Sequence, residues 1–384
     1  MSSSSDSTDA SHSAAEATAN AAASGDGAAP SASVAARGND VAHAAAPESR
    51  RRTAVMADVA RLAGVSHQTV SRVINDSAHV RAETRARVLA AMRTLDYRPN
   101  PAARALVTGR SRTLGVVSFD TTLYGPASTL FAIEQAAHAA GYFITIVSLL
   151  AMDRASVLGA VDRLRVQGVD GILVITPQEG AAAAVANLPS AVPVVAVEAG
   201  RPGSVPVVAV DQFAGAVSAT QLLLDLGHRT VWHIAGPPDF LEAQQRVEGW
   251  RATLDAAGAQ APPLLTGDWS PRSGYEVGRR LAEDPEVTAV FVANDQMALG
   301  VLRALHERGR EIPHEVSVVG FDDIPEAQYF TPPLTTVRQN FAEMGRSSLR
   351  LLLEVMQGGD DAASGLTIAP ELVVRRSTAP PRRD

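Results

Sequence analysis

Eight short runs of apolar residues alternate with helix-forming segments from Thr113 onward, and this alternation limits the folds open to the chain. The runs include TLGVVSF, GILVIT, AVFVAND and VSVVGFDD. They are apolar at nearly every position, which is typical of strands buried on both faces of a parallel sheet. The segments between them have apolar residues at helical spacing and often end in glycine. The pattern therefore predicts parallel α/β sheets covered by helices.

The length of this region indicates more than one sheet. About 270 residues follow the alternating pattern, which is more than a single doubly wound sheet holds comfortably. We therefore expect two doubly wound lobes, each with its own parallel sheet. Open α/β sheets bind ligands at the carboxyl ends of their strands, so the groove between the lobes is the expected ligand site.

Three short helices are expected between residues 53 and 98, ahead of the α/β region. The first, MADVARLA, ends at Gly64, because glycine adopts the left-handed backbone of a sharp helix end. Ser66 is placed to cap the second helix with its hydroxyl. Apolar residues at helical spacing are expected to form a small core; they are Val55, Val59, Leu62, Val65, Val70, Val73, Ile74, Val88, Leu89, Met92 and Leu95.

The second of these helices has a polar face. His67, Gln68, Ser71 and Arg72 fall at i, i+1, i+4 and i+5, away from the apolar residues. Glutamine pairs bidentately with adenine and arginine with guanine, each worth about 1–3 kcal/mol of discrimination between bases. A solvated helix face has the same composition, so the polar pattern by itself leaves a base-reading surface and an ordinary surface both open.

The charge distribution favours contact with a polyanion at this end of the chain. Residues 50–112 hold thirteen arginines against four acidic residues, a net charge of +9. The whole chain has a net charge of −7, so the remainder carries −16. A basic module joined to an acidic body indicates that only the module binds nucleic acid. All 34 basic residues are arginine, which fits a coding bias better than selection for bidentate contacts.

Several functional classes are excluded by what the sequence lacks. There is no cysteine, which excludes a disulfide framework, thiol catalysis and cysteine-ligated zinc. The motifs G-x-G-x-x-G, H-E-x-x-H and G-x-S-x-G and the P-loop do not occur, and the nine histidines are not clustered. We therefore expect no metal, no cofactor and no enzymatic activity.

The remaining boundaries follow from composition. Residues 1–52 are rich in alanine, serine and glycine and are expected to be disordered. They resemble no secretion signal, and no apolar run approaches the ~20 residues of a membrane helix, so the expected location is the cytoplasm, on the nucleoid. Residues 99–112 form a linker in which PAARAL can become a short helix. The two-lobe core is expected over 113–376, with a short tail at 377–384.

The segment MADVARLAGVSHQTVSRVIN, with TRARVLAAMRTLDYRPNPAARAL after it, closely resembles the DNA-binding headpiece of the LacI/GalR family of bacterial repressors. GDWS, VANDQMALG and VSVVGFDD resemble that family's ligand-binding core, so the resemblance spans residues 54 to about 376. It implies an α/β protein with an all-α helix-turn-helix headpiece and a two-lobe periplasmic-binding-protein-like core. It also implies a homodimeric repressor that a small-molecule effector releases from a palindromic operator.

The resemblance assigns roles to the headpiece and linker. His67, Gln68 and Arg72 would read bases in the major groove, and Leu106 would wedge into the minor groove as part of a hinge helix formed by PAARAL. An ordinary apolar linker residue is the alternative for Leu106. The other residues implied to contact phosphates or to support the headpiece are Ser66, Thr69, Ser71, Asn75, Tyr97, Asn100 and Ala103. Arg81, where the family usually has a capping serine, and His67 both depart from the common pattern, which leaves the operator sequence open.

Polar residues at the ends of predicted strands indicate a sugar site. Asn294 and Asp322 end two strands, Trp269 lies in GDWS and Arg246 in QQRVEGW. Carboxylate, amide and guanidinium groups bind vicinal hydroxyls, and an indole covers the apolar face of a sugar ring. Helix capping and ordinary core packing are the alternatives for these residues. The resemblance implies that all four contact the effector, and it adds Leu123, Pro126, Glu198, Gln339 and Phe341 to the site.

One side of the implied pocket departs from the resembled pattern. Ala151, Ile175 and Glu198 stand where an arginine, an asparagine and an aspartate are expected, which predicts a more apolar wall on the N-terminal lobe. The hypothesis is a saccharide or β-galactoside-like glycoside as effector, with a purine-like or co-repressing effector as the alternative. A sugar-binding protein or an enzyme on the same core fold is a weaker alternative. The end of the chain, VVRRSTAPPRRD, has no heptads, so we expect dimers and no larger assembly.

Overall fold

The computed structural model describes residues 54–75, 79–99, 105–106, 109–149, 153–186, 192–198, 205–358 and 365–382. The predicted tail of residues 1–52 lies outside the described residues, and so do Asn100, Ala103 and Ala151.

Three helices make up the N-terminal module, as predicted: α1 (Met56–Ala63), α2 (His67–Ile74) and α3 (Ala82–Thr94). Val59, Val70 and Val88 are fully buried at its centre. The expected core positions Val55, Leu62 and Leu89 are instead 45%, 53% and 40% exposed. Their places in the core are taken by alanines, because small side chains let such short helices approach closely; these are Ala60, Ala63 and Ala91.

The rest of the described chain is an α/β core. Its strands are β1 (Thr113–Phe119), β2 (Phe143–Leu149), β3 (Gly171–Ile175), β4 (Val194–Val197), β5 (Val207–Val210), β6 (Trp232–Ala235), β7 (Leu265–Thr266), β8 (Ala289–Val292), β9 (Ser317–Asp322), β10 (Thr335–Arg338), β11 (Leu366–Ile368) and β12 (Glu371–Val373). Its helices are α4 (Tyr124–Ala139), α5 (Arg154–Val166), α6 (Glu179–Ala186), α7 (Gln212–Asp225), α8 (Leu241–Ala256), α9 (Pro271–Leu281), α10 (Asp295–Glu307) and α11 (Phe341–Met356), with a short 3₁₀ helix at Ala327–Tyr329.

The strands form two sheets, which confirms the predicted two-lobe α/β fold. In the N-terminal lobe the order is β11-β5-β4-β3-β1-β2, with every pair parallel. In the C-terminal lobe it is β12-β10-β9-β8-β6-β7, and the pair of β10 with β12 is antiparallel. Strands such as β3, β4 and β8 are buried along their whole length, as their apolar sequences indicate.

The chain passes between the lobes three times: between β5 and α7, between β10 and α11, and between β11 and β12. Helix α11 therefore packs on the N-terminal sheet although it follows a strand of the C-terminal one. The sequence patterns missed α6, α11 and the strands β7, β10, β11 and β12. Three of these strands, β7, β11 and β12, are only two or three residues long, too short for a pattern of burial to be recognised.

The chain beyond residue 376 belongs to the C-terminal lobe. Ser377 is fully buried, its hydroxyl donates to the Val318 carbonyl over 2.6 Å, and it accepts from the Thr335 amide over 2.8 Å. The Ala379 amide donates to the Ser317 hydroxyl over 3.0 Å. The sequence after residue 376 is polar and was therefore predicted to be a tail, because its composition gives no sign of these bonds to the strand edge. Among the described residues, no helix combines the length and the apolar character needed to span a bilayer.

Candidate functional site

Helix α2 begins with the predicted cap and presents the predicted polar face. The Ser66 hydroxyl accepts a hydrogen bond from the Thr69 amide over 3.2 Å, which satisfies one of the free amides at the helix start. His67, Gln68 and Arg72 are exposed, while Val70 and Val73 are buried against the other two helices. The N-terminal turn of α2 is therefore capped, and its polar side chains are exposed.

The remaining predicted headpiece residues have supporting positions. Thr69 and Ser71 are half-buried, and the Thr69 hydroxyl lies 2.9 Å from that of Ser66. The exposed Asn75 ends α2, with its backbone amide donating to the Ser71 carbonyl over 3.0 Å. Tyr97 is half-buried against the small core. Helix α3 begins at Arg81 without a side-chain capping bond, as its sequence indicates.

Leu106 is a strongly exposed apolar residue of the linker. Its side chain is 88% exposed, and it lies in a helical conformation beside Ala105, whose carbonyl accepts from the Gly109 amide over 2.8 Å. An apolar side chain this exposed is available to a partner. The rest of the PAARAL segment, including Ala103, lies outside the described residues.

A narrow cleft of about 30 Å³ lies between the two lobes, at the carboxyl ends of the strands. Seven of the nine residues predicted to bind an effector line it: Leu123, Pro126, Arg246, Trp269, Asn294, Asp322 and Gln339. Leu123 and Pro126 follow β1 in the N-terminal lobe, and the other five belong to the C-terminal lobe. The edge shared by parallel strands brings together residues that are far apart in sequence.

Arg246 is held in place by the C-terminal lobe. Its Nε donates to Gln212 Oε1 over 2.9 Å, Nη1 donates to the Ala293 carbonyl, and Nη2 lies 3.7 Å from Asp322 Oδ1. The guanidinium is stacked over Phe321, 3.8 Å from the ring centroid. It is only 2% exposed, so its orientation is determined before any ligand arrives.

Asp322 is a buried carboxyl with an unusual protonation state. Its Oδ1 accepts from Gln339 Nε2 over 2.7 Å, and Gln339 Oε1 accepts from Gln212 Nε2 over 2.9 Å. Burial raises the pKa of Asp322 to about 7, and the nearby Arg246 charge and the Gln339 bond oppose that rise. Near neutral pH this carboxyl can therefore both donate and accept hydrogen bonds.

Asn294 caps a helix and also binds the backbone of Trp269. Asn294 Oδ1 caps α10 by accepting from the Met297 amide over 2.9 Å, and its Nδ2 donates to the Trp269 carbonyl over 3.0 Å. Trp269 adopts a positive φ of 72°, and its ring lies so close to Gly236 that a Cβ there would be 2.1 Å away. The buried indole Nε1 has no hydrogen-bond partner within the described part of the chain. Asn294 is thus both a helix cap, the alternative noted above, and a support for the indole.

Glu198 and Phe341 do not line the cleft itself. Glu198 is 3% exposed, accepts from the Thr129 hydroxyl over 3.1 Å and lines a smaller neighbouring cavity of about 10 Å³. Phe341 begins α11 and packs edge-on against Tyr124, with 5.7 Å between ring centroids. Ile175 is fully buried in the N-terminal lobe, so it belongs to the core and not to a pocket wall.

Four residues of the cleft lining were not predicted: Tyr124, Gly125, Phe240 and Glu242. Tyr124 and Gly125 lie between the predicted Leu123 and Pro126. Glu242 is four residues before Arg246 on α8, and residues at this spacing share a helix face. That spacing is the signal in the sequence that could have identified it. No group of three or more His, Cys, Asp or Glu side chains suited to a metal occurs in the described ranges.

Comparisons with known proteins agree with this architecture. Residues 55–100 match the family described as bacterial regulatory proteins, lacI family, and residues 220–378 match the periplasmic binding protein-like domain. The lactose operon repressor of Escherichia coli (strain K12) is 34% identical over 323 residues, covering 84% of this chain and 89% of the repressor. The transcriptional repressor PurR of Haemophilus influenzae (strain ATCC 51907 / DSM 11121 / KW20 / Rd) is 33% identical over 334 residues, covering 84% of this chain and 98% of PurR.

A solved structure extends the similarity to three dimensions. The crystal structure of the lac repressor dimer bound to operator and the anti-inducer ONPF matches with a TM-score of 0.76 at 34% identity. The match covers 85% of this chain and all of the repressor chain. With a capped, exposed helix in the headpiece and a polar cleft between two parallel-sheet lobes, the chain belongs to the lacI family of bacterial regulatory proteins and is a DNA-binding transcriptional repressor of that type.

Proposed function

We propose that a saccharide bound in the interlobe cleft releases this protein, as a homodimer, from a palindromic operator. The observation that carries the proposal is the composition of the cleft, where Arg246, Asp322 and Gln339 line the same space as Trp269 and the Arg246 guanidinium lies 5.6 Å from the centroid of its ring. Polar groups that recognise vicinal hydroxyls thus lie beside an aromatic face. The unpaired Nε1 of Trp269 adds a donor for a ligand oxygen. A β-galactoside-like glycoside is the form of saccharide that we favour.

DNA contact is assigned to the headpiece and the linker. His67, Gln68 and Arg72 read base edges from the exposed face of α2, and Ser66 stabilises that helix. Leu106 inserts between base steps in the minor groove, where the unstacking of bases is offset by added contact with bent DNA. The protein then lies on the nucleoid, in the cytoplasm, when no effector is bound.

Effector and DNA are coupled through the arrangement of the lobes. The cleft is lined from both lobes, so a ligand there favours the arrangement in which both sets of residues reach it. Release requires that the effector binds the DNA-free arrangement more tightly than the DNA-bound one. Coupling energies of this kind are typically about 1–3 kcal/mol, which corresponds to a change of about 5- to 150-fold in operator affinity.

Fluorescence anisotropy with DNA from upstream of the protein's own gene tests the proposal. We expect tight binding to one palindrome at low salt, weaker binding as salt rises, and loss of binding with one member of a panel of mono- and disaccharides. Absence of binding to any palindrome at low salt would refute the assignment of DNA contacts, because phosphate contacts are strongest there. Binding to DNA that responds to a purine and to no saccharide would refute the effector class.

A purine is the second candidate effector, and one observation favours it. Tyr124, Phe240 and Trp269 all line the cleft, with Phe240 edge-on to Trp269 at 5.6 Å between centroids. Aromatic walls of this kind also suit a flat base. Asp322 and Arg246 supply hydrogen bonds that either ligand can use, so the same titration with hypoxanthine, guanine and adenine decides between the two classes.

A further inference from the structure

Two carboxyl groups from different lobes meet beside the cleft. Glu198 follows β4 in the N-terminal lobe, and Glu242 lies in the first turn of α8 in the C-terminal lobe. Both line the small cavity described above. Glu242 also lines the main cleft, so it is shared by the two spaces. A ligand group beside Glu242 in the cleft is therefore next to the cavity that Glu198 lines.

Glu198 is a buried acid without a counter-charge of its own. Thr129 donates to Oε1, while Oε2 is inaccessible to solvent and has no hydrogen-bond partner in the described ranges. Burial and the negative charge of Glu242 raise the pKa of Glu198 well above its ordinary range. An unpaired acceptor at this depth is costly to the free protein and is stabilised by any donor that reaches it.

The cation nearest to the two acids is already engaged. Arg246 is bonded to Gln212, to the Ala293 carbonyl and to Asp322. The Gln212 amide group, which faces the same small cavity, donates to Gln339. The residues that line this cavity thus include two acids and one further amide, Gln245, but no cation, which leaves a positive charge to the ligand.

We propose that the effector carries a protonated amine, which binds between the Glu198 and Glu242 carboxylates. An ammonium group has three donors and a full positive charge, so it favours the ionised form of both acids, and the proton that the buried Glu198 holds in the free protein leaves to solvent. Within the saccharide class proposed above, on which this assignment rests, the ligand is an amino sugar or a glycoside with an amino substituent. The amine contacts one acid from each lobe and so stabilises the arrangement of the lobes in which these two acids lie together.

Calorimetric titration of the full-length protein with matched sugars tests the assignment. D-galactose, D-galactosamine and N-acetyl-D-galactosamine differ only in the group at one position, and the gluco series repeats the comparison. We expect an amino sugar to bind at least about tenfold more tightly than its hydroxyl and N-acetyl counterparts, as a charge-assisted pair in a buried site implies. Neutral sugars that bind as tightly as the amine would overturn the assignment and leave the saccharide proposal intact.

Substitutions of the two acids test whether they cause the preference for an amino sugar. Glu198→Gln and Glu242→Gln keep the shape of each side chain and should each abolish the ratio by which the amino sugar binds more tightly than its hydroxyl and N-acetyl counterparts. Glu248→Gln, an exposed acid on the same helix, should keep the preference and serves as the matched control. A preference that survives in the Glu198→Gln/Glu242→Gln double variant would show that the amine binds elsewhere, and the assignment would be wrong.

An amine that is not a sugar tests the proposed amine site independently of the saccharide proposal. Methylammonium chloride should raise the melting temperature of the wild-type protein relative to sodium chloride at equal concentration, and Glu198→Gln should remove the difference. Stabilisation by methylammonium with no response to any sugar would support the amine site and reject the saccharide class. Equal melting temperatures in the two salts would overturn the amine site.

Discussion

At the scale of single residues, the charged groups of the cleft depend on one another. Arg246 binds Gln212, the Ala293 carbonyl and Asp322 while it is stacked on Phe321. Removing one partner from such a buried set costs about 3–5 kcal/mol, because the remaining charge is left unpaired. The identity of these residues therefore affects folding as well as ligand binding, and a neutral substitute of the same shape is the informative change.

Asp322→Asn should change how stability depends on pH. Burial raises the pKa of Asp322 to about 7 in the folded protein, so protonation favours the folded state over an unfolded chain with an ordinary carboxyl. That stabilisation is complete below about pH 4 and is lost as the pH rises through 7. The unfolding free energy of the wild type should fall, relative to Asp322→Asn, by about 1.4 kcal/mol per pH unit across this window.

Urea unfolding of both proteins at about pH 5, 6 and 7 measures this difference. Parallel stability curves for the wild type and Asp322→Asn would contradict the raised pKa. The variant should also lose most of its effector response, since an amide cannot ionise and so cannot carry the negative charge that pairs with Arg246.

At the scale of elements, α2 and α3 differ in how their N-termini are capped. Ser66 caps α2 through the Thr69 amide, whereas Arg81 provides no side-chain bond to α3. A serine hydroxyl at an N-cap stabilises a helix by about 1 kcal/mol relative to a residue that cannot accept. The second helix is therefore firmly formed before it meets DNA, and the third has stability to gain.

Arg81→Ser should stabilise the headpiece by about 0.5–1 kcal/mol, because serine can accept from the free amides at the start of α3. Hydrogen exchange of the first-turn amides of α3 in the full-length protein should slow accordingly. Ser66→Ala is the converse variant and should speed exchange at the start of α2. Unchanged exchange in Arg81→Ser would mean that another group already satisfies those amides.

Substitutions on the exposed face of α2 should separate base reading from general attraction to DNA. Gln68→Ala and Arg72→Ala should each lower operator affinity by about 1–3 kcal/mol and leave affinity for unrelated DNA less affected. Arg93→Ala removes an exposed charge from the last turn of α3 and is the control. It should leave the ratio of specific to non-specific affinity unchanged in anisotropy titrations. A similar loss on both DNAs for Gln68→Ala would reject a base-reading role.

At the scale of the whole molecule, hydrogen bonds tie the lobes together at one side of the cleft. The Leu241 amide donates to the Pro177 carbonyl over 2.9 Å, and Gln178 Nε2 donates to Asp239 Oδ2 over 2.9 Å. Gln244 Nε2 also donates to Glu179 Oε1 over 3.0 Å. These bonds belong to the arrangement in which the lobes face each other across the cleft, so they bias the same equilibrium as a ligand does.

Asp239→Ala should weaken effector binding by about two- to fivefold, the value of one exposed hydrogen bond of about 0.5–1 kcal/mol. Because coupling is reciprocal, the operator complex of this variant should resist release at effector concentrations that free the wild type. Calorimetry and anisotropy measure the two effects, with Asp225→Ala on α7 as an exposed control. Effector affinity equal to that of the wild type would mean that this contact persists in both lobe arrangements.

Much of this protein could be predicted because the deciding forces are local. The cap and polar face of α2 follow from the order of residues within one helix, and strands such as β3 and β8 follow from unbroken apolar runs. Asn294 and Asp322 could be assigned to the cleft because the carboxyl ends of parallel strands always share one edge of a sheet. The sequence by itself thus determined the fold class, the headpiece and the C-terminal side of the site.

Only the tertiary structure decided the contacts between elements that are distant in the chain. It buried Ile175 in the core, placed Phe341 on α11 against Tyr124, and docked Ser377 against the C-terminal sheet. It also brought Glu198 next to Glu242 of the C-terminal lobe, in a small cavity beside the cleft. The physical reason is that such contacts join elements of separate lobes, and their geometry is determined by three chain crossings and by packing between sheets, which no local pattern of residues encodes.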